Sequence, residues 1–215
     1  MDINKTLENL RVNYRHASLD VKDIHANPIE QFNQWLQEAI NSMCDEPNAF
    51  VLSTVASGRP RSRVVLLKGL NNNQFVFYTN YLSHKGHELL NNPYASMNFL
   101  WLPLQRQVRI EGKIQKVSPE LSDDYFQKRP RGNQLGAIAS PQSQTIKDRE
   151  SLESLFNDAE KKFANTATLE RPLHWGGYSI TPDYFEFWQG RESRMHDRIS
   201  YKKENDQWII SRLAP

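Results

Sequence analysis

Between residues 49 and 118 the chain contains five short segments rich in β-branched and aromatic residues, each followed closely by the next. Turn signals separate them, such as Ser57-Gly58 and Asn91-Asn92-Pro93. Two further strand-like segments follow near the C-terminus, and the second is predicted to be a hairpin that turns at Glu204 to Asp206. The predicted strand segments are 49–56, 62–70, 74–80, 95–102, 106–118, 175–190 and 198–213.

Short connections between consecutive strands favour antiparallel pairing, and this many strands usually curl into a barrel. We therefore predict a mostly β fold with some α (α+β), an antiparallel barrel of six to eight strands with peripheral helices. The sequence has no alternating βαβ pattern and no G-x-G-x-x-G motif, which argues against a doubly wound dinucleotide-binding sheet.

Helices are predicted around this sheet. Apolar residues recur at three- and four-residue steps over 29–43, where Asn27 is a plausible cap and Pro28 fits the first turn. Other helices are expected from Ser83, from Ser118 and over 148–164. Because no linker interrupts the rest, residues 28–215 are predicted to form a single domain, preceded by a mobile polar arm over 1–27.

Composition excludes several classes of protein. The 27 Lys and Arg residues nearly balance the 25 Asp and Glu residues, giving a net charge of +2, so no global charge points to nucleic acid or an anionic membrane. The single cysteine, Cys44, excludes an internal disulfide and is expected to be buried or half-buried. No apolar signal segment or membrane span is visible, so a cytoplasmic protein is expected.

The stretch FWQGRESRMHDR, residues 187–198, concentrates basic groups. If it is extended, Arg194, His196 and Arg198 share one face, because side chains alternate along a strand. One interpretation is a solvated edge strand with Glu192 and Asp197 as local partners. The other is a pocket for an anionic ligand.

Three more basic stretches have both a structural and a functional interpretation. In RPRSRVVLLKG (59–69), arginines share one strand face and Lys68 lies at the end. In YTNYLSHKG (78–86), Lys85 lies in the first turn of a capped helix, which is a ready phosphate site. His84 and His87 are three residues apart, but two histidines alone are weak evidence for a metal.

The third stretch, residues 125–144, carries Tyr125, Arg129 and other basic residues at a helix end. A Gly/Ser/Gln-rich loop containing Gln142 and Ser143 is expected to follow. No Ser-His-Asp arrangement or paired carboxylates stand out. The sequence thus has several basic clusters that could bind phosphate, but no evident nucleophile or metal site. This combination favours a protein that holds a phosphorylated organic cofactor.

Taken together, these stretches resemble the pyridoxine/pyridoxamine 5′-phosphate oxidases, FMN enzymes of the split-barrel flavoprotein class. The resemblance runs from about Tyr14 to Pro215, and its motifs are RSRVVLLKG, FVFYTN, RQVRIEGK, YFQKRPRGNQLGA, SPQSQ, FEFWQG, RMHDR and RLAP. It implies FMN as cofactor and a homodimer whose site lies at the subunit interface. It also implies oxidation of pyridoxine and pyridoxamine 5′-phosphate by O₂ to pyridoxal 5′-phosphate, with release of H₂O₂, and of NH₃ from the amine.

The resemblance also assigns roles to residues of this sequence. The predicted FMN contacts are Arg63, Val64, Val65, Leu66, Leu67, Lys68, Tyr78, Thr79, His84, Lys85, Gln107, Gln142, Ser143, Trp188 and Arg198. The predicted substrate contacts are Lys68, Tyr125, Arg129, Asn133, Arg194 and His196. Of these, Arg194 and His196 are the predicted catalytic pair, and Gln142 and Ser143 match a loop that the partner subunit contributes.

Two positions depart from the family pattern. His84 stands where an arginine is usual, and Asn133 stands where a serine commonly helps to bind the substrate phosphate. The main alternative is an FMN protein of the same fold that acts on a different substrate. A binding module for RNA or another polyanion is less favoured, because net charge is near zero and no nucleic-acid signature is present.

Overall fold

The computed structural model describes residues 17–215 together with residues 3, 4, 7 and 14. Most of the predicted arm before residue 17 therefore lies outside the described residues. The chain divides into two compact units. The terminal unit comprises Met1–Pro47, Asn98–Ile110 and Asp183–Pro215, and the central unit comprises Asn48–Met97 and Glu111–Pro182. That residues 28–215 act as one domain stays a prediction.

Within residues 17–215 the structure has nine strands. They are β1 (Ala49–Ala56), β2 (Arg59–Leu66), β3 (Gly69–Asn71), β4 (Gln74–Asn80), β5 (Tyr94–Trp101), β6 (Arg106–Lys116), β7 (Trp175–Gln189), β8 (Asp197–Glu204) and β9 (Gln207–Leu213). Hydrogen bonds order seven of them β2-β1-β5-β6-β7-β4-β3, and β8 pairs with β7 and β9. The pairings β1–β2, β3–β4, β4–β7, β7–β8 and β8–β9 are antiparallel. The predicted mostly β, α+β class is confirmed.

The strand count exceeds the predicted six to eight because residues 62–70 form two strands. The chain changes its pairing partner at this point. Leu67 N–H donates to Asn48 O at 2.8 Å, on the β1 side, and Lys68 N–H donates to Val76 O at 2.8 Å, on the β4 side. The predicted turn between the last two strands is confirmed, with Asn205 and Asp206 in the left-handed region at φ 48° and 61°.

Five α-helices lie within residues 17–215. They are α1 (Pro28–Asn41), α2 (His84–Asn91), α3 (Pro119–Gln127), α4 (Arg131–Ala139) and α5 (Arg149–Lys162). The predicted caps are confirmed at two of them: Asn27 accepts a hydrogen bond from Ile29 N–H, and Ser83 accepts one from Gly86 N–H. No helix among the described residues is both long enough and apolar enough to cross a membrane.

Helix α4 lies where the sequence predicts the start of the Gly/Ser/Gln-rich loop that follows the basic cluster. Its sequence contains two glycines, which are poor helix formers, and its first residue follows Pro130, which makes no side-chain cap bond. Tertiary packing stabilises it instead, because Leu135 is buried in a cluster with Phe126 and Trp175.

Aromatic side chains form much of the core in each unit. In the terminal unit, Phe32 packs edge-on against Phe99 with 5.0 Å between ring centroids, and Trp35 packs against Phe187 at 5.2 Å. In the central unit Phe50 and Phe77 are almost completely buried and contact each other at 6.0 Å. Cys44 is a buried free thiol, as predicted.

Gly86 allows helix α2 to lie against the end of β4. A Cβ atom at this position would come within 2.0 Å of the backbone oxygen of Tyr81, which cannot move as a side chain could. We expect Gly86→Ala to destabilise the protein by about 1–3 kcal/mol, and so to lower the Tm by several degrees. The control is Gly136→Ala in α4, where nothing lies within 4 Å of the added Cβ. Thermal unfolding of both variants checks this, and equal Tm values would contradict it.

Candidate functional site

A cluster of side chains of the kind that binds phosphate lies in the central unit, where β4 ends and α2 begins. Lys85 Nζ donates to Gln142 Oε1 at 3.0 Å, to Thr79 Oγ1 at 3.2 Å and to Ser83 Oγ at 3.4 Å. Burial, and then the nearby charge of Arg63, lowers the pKa of Lys85. All three contacts are to neutral oxygens, so a negatively charged ligand would stabilise the ammonium more than its present neighbours do.

The predicted sharing of one strand face by the β2 arginines is confirmed for Arg61 and Arg63. Both reach the buried carboxylate of Glu88 in α2, at 3.0 Å and 2.8 Å respectively, and Thr54 donates a further hydrogen bond to it at 2.5 Å. These bonds hold the pKa of Glu88 below its ordinary value although burial opposes them. Glu88 therefore fixes Arg63 beside Lys85, and sequence reasoning missed it.

A pocket of about 230 Å³ lies beside this cluster, lined among others by Lys68, Thr79 and Gln142. Three of its lining rings form a stack: the Tyr78 ring lies 3.9 Å from Tyr125 and 5.5 Å from Trp175, nearly parallel to both. Burial raises the pKa of Tyr78 to about 12, so its hydroxyl remains a proton donor near neutral pH. Trp175 was not predicted as a site residue, although its sequence context, HWGGY, places an aromatic residue before two glycines.

Arg129 and Lys68 both bring positive charge to this pocket, and Arg129 does so from a half-buried position. Its guanidinium lies 4.5 Å above the Trp175 ring, and its Nη1 atom is buried with no hydrogen-bond partner in the part of the chain that the structure describes. Burial lowers the pKa of Arg129. A buried guanidinium nitrogen without a partner is costly, and an anion in the pocket would satisfy it. Arg129 and the exposed Asn133 both line an adjoining cavity of about 290 Å³.

A second cluster, in the terminal unit, contains the predicted catalytic pair. The imidazole of His196 lies 4.7 Å from the Trp188 ring, and the Tyr14 ring lies 5.8 Å from each of them. The backbone N–H of Arg191 donates to His196 Nδ1 at 3.1 Å, so a neutral imidazole carries its proton on Nε2. Burial, and then the charge of Arg194, lowers the pKa of His196.

The predicted alternation of Arg194, His196 and Arg198 on one strand face is wrong. Residues Glu192–Arg194 form a short 3-10 turn, Ser193 and Arg194 have left-handed φ angles of 54° and 61°, and β8 begins only at Asp197. Asp197, one of the two expected local partners, forms an ion pair with Arg191 at 3.2 Å.

Arg198 already has protein partners. Its Nε donates to Glu186 Oε1 at 2.8 Å, and its Nη1 donates to Ala214 O at 2.7 Å. Glu186 is buried and also accepts a bond from Arg109 at 2.8 Å. Arg194, in contrast, is exposed. The positive charge available to a ligand here is therefore that of Arg194 rather than that of the whole basic run.

The remaining predicted residues have varied environments. Val64 is 67% exposed, Val65 and Leu66 are half-buried, and Leu67 is buried. His84 is exposed at the first position of α2, Ser143 is exposed with φ 72°, and Gln107 is half-buried on β6. Gln142 contacts Lys85 within one chain, and its assignment to the partner's site stays a prediction. Among the described residues, no group of three or more His, Cys, Asp or Glu side chains could hold a metal ion.

Comparison with known proteins decides the family. The model of the pyridoxamine 5′-phosphate oxidase family matches residues 36–163, and that of the pyridoxine 5′-phosphate oxidase C-terminal dimerisation region matches 175–215. The pyridoxine/pyridoxamine 5′-phosphate oxidase of Cytophaga hutchinsonii is 50% identical over 211 residues, covering 97% of this chain and 98% of that protein. The chain belongs to the pyridoxine/pyridoxamine 5′-phosphate oxidase family. It is therefore an oxidoreductase of an FMN-binding family, as the motifs predicted.

Other relatives agree with this assignment. The pyridoxine/pyridoxamine 5′-phosphate oxidase of Acaryochloris marina is 49% identical over 211 residues, covering 98% of this chain and 96% of that protein. The crystal structure of PhzG from Burkholderia lata, in complex with tetrahydrophenazine-1-carboxylic acid, superposes with a TM-score of 0.85 at 29% identity. It covers 93% of this chain and 100% of that one.

A pyridoxamine 5′-phosphate oxidase-related, FMN-binding protein from Nostoc punctiforme shares the fold with a TM-score of 0.72 at 17% identity. That match covers 89% of this chain and 100% of the other. The family model that matches residues 175–215 describes a dimerisation region. This match supports a homodimer.

The residues of the central unit fit a phosphorylated cofactor of this kind. The under-compensated ammonium of Lys85 and the guanidinium of Arg63 provide two positive charges close together, and Ser83 begins the helix beside them. Arg129 adds a buried nitrogen that lacks a partner among the described residues. Cations, hydroxyl groups and a helix start are the groups that bind phosphate in proteins.

Proposed function

We propose that the protein oxidises pyridoxine 5′-phosphate and pyridoxamine 5′-phosphate to pyridoxal 5′-phosphate, with O₂ as the electron acceptor and H₂O₂ as a product. With the amine, one water is consumed and NH₃ is released. FMN, when bound, supplies the group that takes two electrons from the C4′ carbon of the substrate and passes them to O₂. The observation that carries this proposal is the buried Nη1 atom of Arg129, which has no hydrogen-bond partner among the described residues, in a pocket lined by aromatic rings.

The central unit would hold the two phosphates. Lys85, with Arg63, would bind the FMN phosphate, since these two cations lie beside the start of α2. Lys68, Tyr125 and Arg129, which line one pocket, would bind the substrate phosphate, and Asn133 in the adjoining cavity would donate through its amide. We further propose that the complete site forms in the homodimer.

The terminal unit would provide the catalytic pair. Arg194, which is exposed and positively charged, would bind and orient the substrate's pyridine ring. His196 is held by Arg191 with Nε2 as its donor atom, so it would hydrogen-bond the reacting group in its neutral form. A lowered pKa favours that form near neutral pH. Trp188 would provide an apolar wall for the flavin.

A second candidate is an FMN oxidoreductase of the same fold with a different substrate. The similarity to PhzG favours it, because that structure contains a tricyclic carboxylic acid rather than a vitamin B6 phosphate. A carboxylate needs fewer donors than a phosphate does. The presence of Lys68, Tyr125 and Arg129 around one pocket therefore favours the phosphorylated substrate.

The deciding experiment is an absorption spectrum of the purified protein, followed by anaerobic addition of pyridoxamine 5′-phosphate. We expect oxidised-flavin bands that bleach with the substrate and return with air, together with formation of pyridoxal 5′-phosphate and H₂O₂. Flavin bands that do not respond to this substrate would favour the second candidate. A colourless protein that FMN cannot reconstitute would exclude both.

The lowered pKa of Lys85 predicts how FMN binding depends on pH. Since binding uses the ammonium form, FMN affinity should fall as pH rises through the lowered pKa, at a lower pH than for an ordinary lysine. Fluorescence titration of the FMN-free protein across alkaline pH checks this. Lys85→Arg is the matched control, because arginine stays protonated and any ionisation of the flavin itself affects both proteins equally. Identical pH profiles for the two proteins would contradict the assignment.

A further inference from the structure

Asp197 joins three separate segments of the terminal unit. Its Oδ2 accepts hydrogen bonds from Leu19 N–H at 3.1 Å and from Arg191 Nη1 at 3.2 Å, and its Oδ1 accepts one from Arg212 Nη1 at 2.8 Å. Arg212 also donates to Leu19 O at 3.0 Å, so both polar backbone groups of Leu19 are held. One carboxylate thus ties the residues before α1, the loop after β7 and the end of β9 together.

The loop that Asp197 holds is the one that carries Arg194 and His196. Two of its residues, Ser193 and Arg194, have left-handed φ angles, a conformation that is unfavourable for a residue with a Cβ atom. Both side chains are exposed, so they do not hold the loop in this conformation by packing into the protein core. The loop is instead fixed at its ends, by the bond from Arg191 N–H to His196 Nδ1 and by Asp197.

We propose that Asp197 is a positioning residue, which holds the loop of Arg194 and His196 in its active geometry by anchoring it to Leu19 and Arg212. This inference rests on the proposed oxidase function, because it takes Arg194 and His196 as the pair that contacts the substrate. In this role Asp197 itself does not touch the substrate or the flavin. It acts through Arg191, whose side chain it binds and whose backbone N–H fixes the His196 ring.

Charge supports the assignment. The Asp197 carboxylate is the anion between two arginines, Arg191 and Arg212, and its bonds to them and to Leu19 hold its pKa below the ordinary value. Without that charge the two guanidinium groups would lose a shared anionic partner and would repel each other. Asn at this position keeps the size of the side chain and one acceptor oxygen, but its amide group cannot pair with two cations.

The test compares Asp197→Asn with Asp123→Asn, a matched control in which the same change breaks an ion pair to Arg171 in the central unit. For Asp197→Asn we expect kcat/KM for pyridoxamine 5′-phosphate to fall about tenfold or more, since small misplacement of positioned groups has effects of this size. Asp123→Asn should stay within about twofold of the unmodified protein, because the Asp123 side chain is 54% exposed and an exposed carboxylate contributes little.

A spectroscopic readout separates positioning from stability. In ¹⁵N-histidine NMR spectra, assigned with His196→Gln, the unmodified protein should show His196 as one tautomer with its proton on Nε2. In Asp197→Asn the two nitrogen shifts should move toward each other as the ring samples both tautomers, and in Asp123→Asn they should not. If Asp197→Asn does not fold, Arg212→Gln breaks the same contact from its more exposed side and should shift the signals in the same direction.

Different results would overturn the oxidase function and the positioning role of Asp197. If the unmodified protein does not oxidise pyridoxamine 5′-phosphate, the proposed function is lost, but the NMR spectra still test Asp197 without any substrate. If the protein does oxidise it, and Asp197→Asn matches Asp123→Asn in both kcat/KM and the His196 signals, the positioning role is overturned.

Discussion

Arg194→Ala is expected to lower kcat for pyridoxamine 5′-phosphate by about 10²–10³-fold, the usual effect of removing one preorganised charge at a reacting centre. The FMN Kd should change far less, because Lys85 and Arg63, which are proposed to bind the FMN phosphate, lie in the central unit and remain intact. The two measurements, steady-state turnover and FMN fluorescence titration, are made on the same preparations.

The His196 ring provides an internal check on this variant. The charge of Arg194 is the second cause, after burial, of the lowered His196 pKa. Removing that charge should therefore raise the His196 pKa, so that the imidazole becomes protonated at a higher pH than in the unmodified protein. An NMR titration measures this shift without substrate or turnover.

Two further variants serve as controls. Arg194→Lys keeps the charge without the planar fork and should lose less turnover than Arg194→Ala. Arg149→Ala removes an exposed arginine from α5, far from the predicted catalytic pair in sequence, and should leave turnover unchanged. If Arg194→Ala weakened FMN binding as much as turnover, the residue would belong to the cofactor site instead.

Local sequence signals predicted most of the fold. Strands of alternating or continuous apolar residues and helices with Asn27 and Ser83 as caps are determined by contacts within a few residues. Predictions failed where distant packing or backbone conformation decides. Helix α4 contains glycines that weaken its local propensity, and Leu135 stabilises it through a buried cluster that includes Phe126 and Trp175. The left-handed Ser193 and Arg194 end the alternation that an extended RMHDR would have.

The sequence predicted which cationic residues belong to the site, but it did not predict the carboxylates that pair with them. Arginines and lysines stand in recognisable motifs, whereas Glu88 and Glu186 meet them across long sequence separations. Glu186 binds Arg109, 77 residues away, and Glu88 binds Arg63, 25 residues away. Both carboxylates are buried, and each leaves fewer free cations than the sequence suggests. The cations proposed to bind a ligand are therefore few: Lys68, Lys85 and Arg129 in the central unit, with Arg63 held by Glu88 beside Lys85, and Arg194 in the terminal unit.

Arg129→Gln is expected to raise KM for pyridoxamine 5′-phosphate by about 30- to 150-fold, which corresponds to about 2–3 kcal/mol for a lost charge-assisted hydrogen bond. The effect should be this large because Nη1 of Arg129 is buried and has no hydrogen-bond partner among the described residues, so phosphate binding breaks no protein bond there. Glutamine keeps a donor but not the charge.

The substrate phosphate itself provides the decisive comparison. The reaction with unphosphorylated pyridoxamine should be affected little by Arg129→Gln, because the lost interaction is with the phosphate. Lys128→Gln removes the same charge from the adjacent, exposed residue and should leave both KM values near those of the unmodified protein. A loss of equal size on both substrates would mean that Arg129 supports the stacked rings of Trp175, Tyr78 and Tyr125 rather than the phosphate. Because Arg129 lies 4.5 Å above Trp175, that outcome should also lower the Tm, which Lys128→Gln would not do.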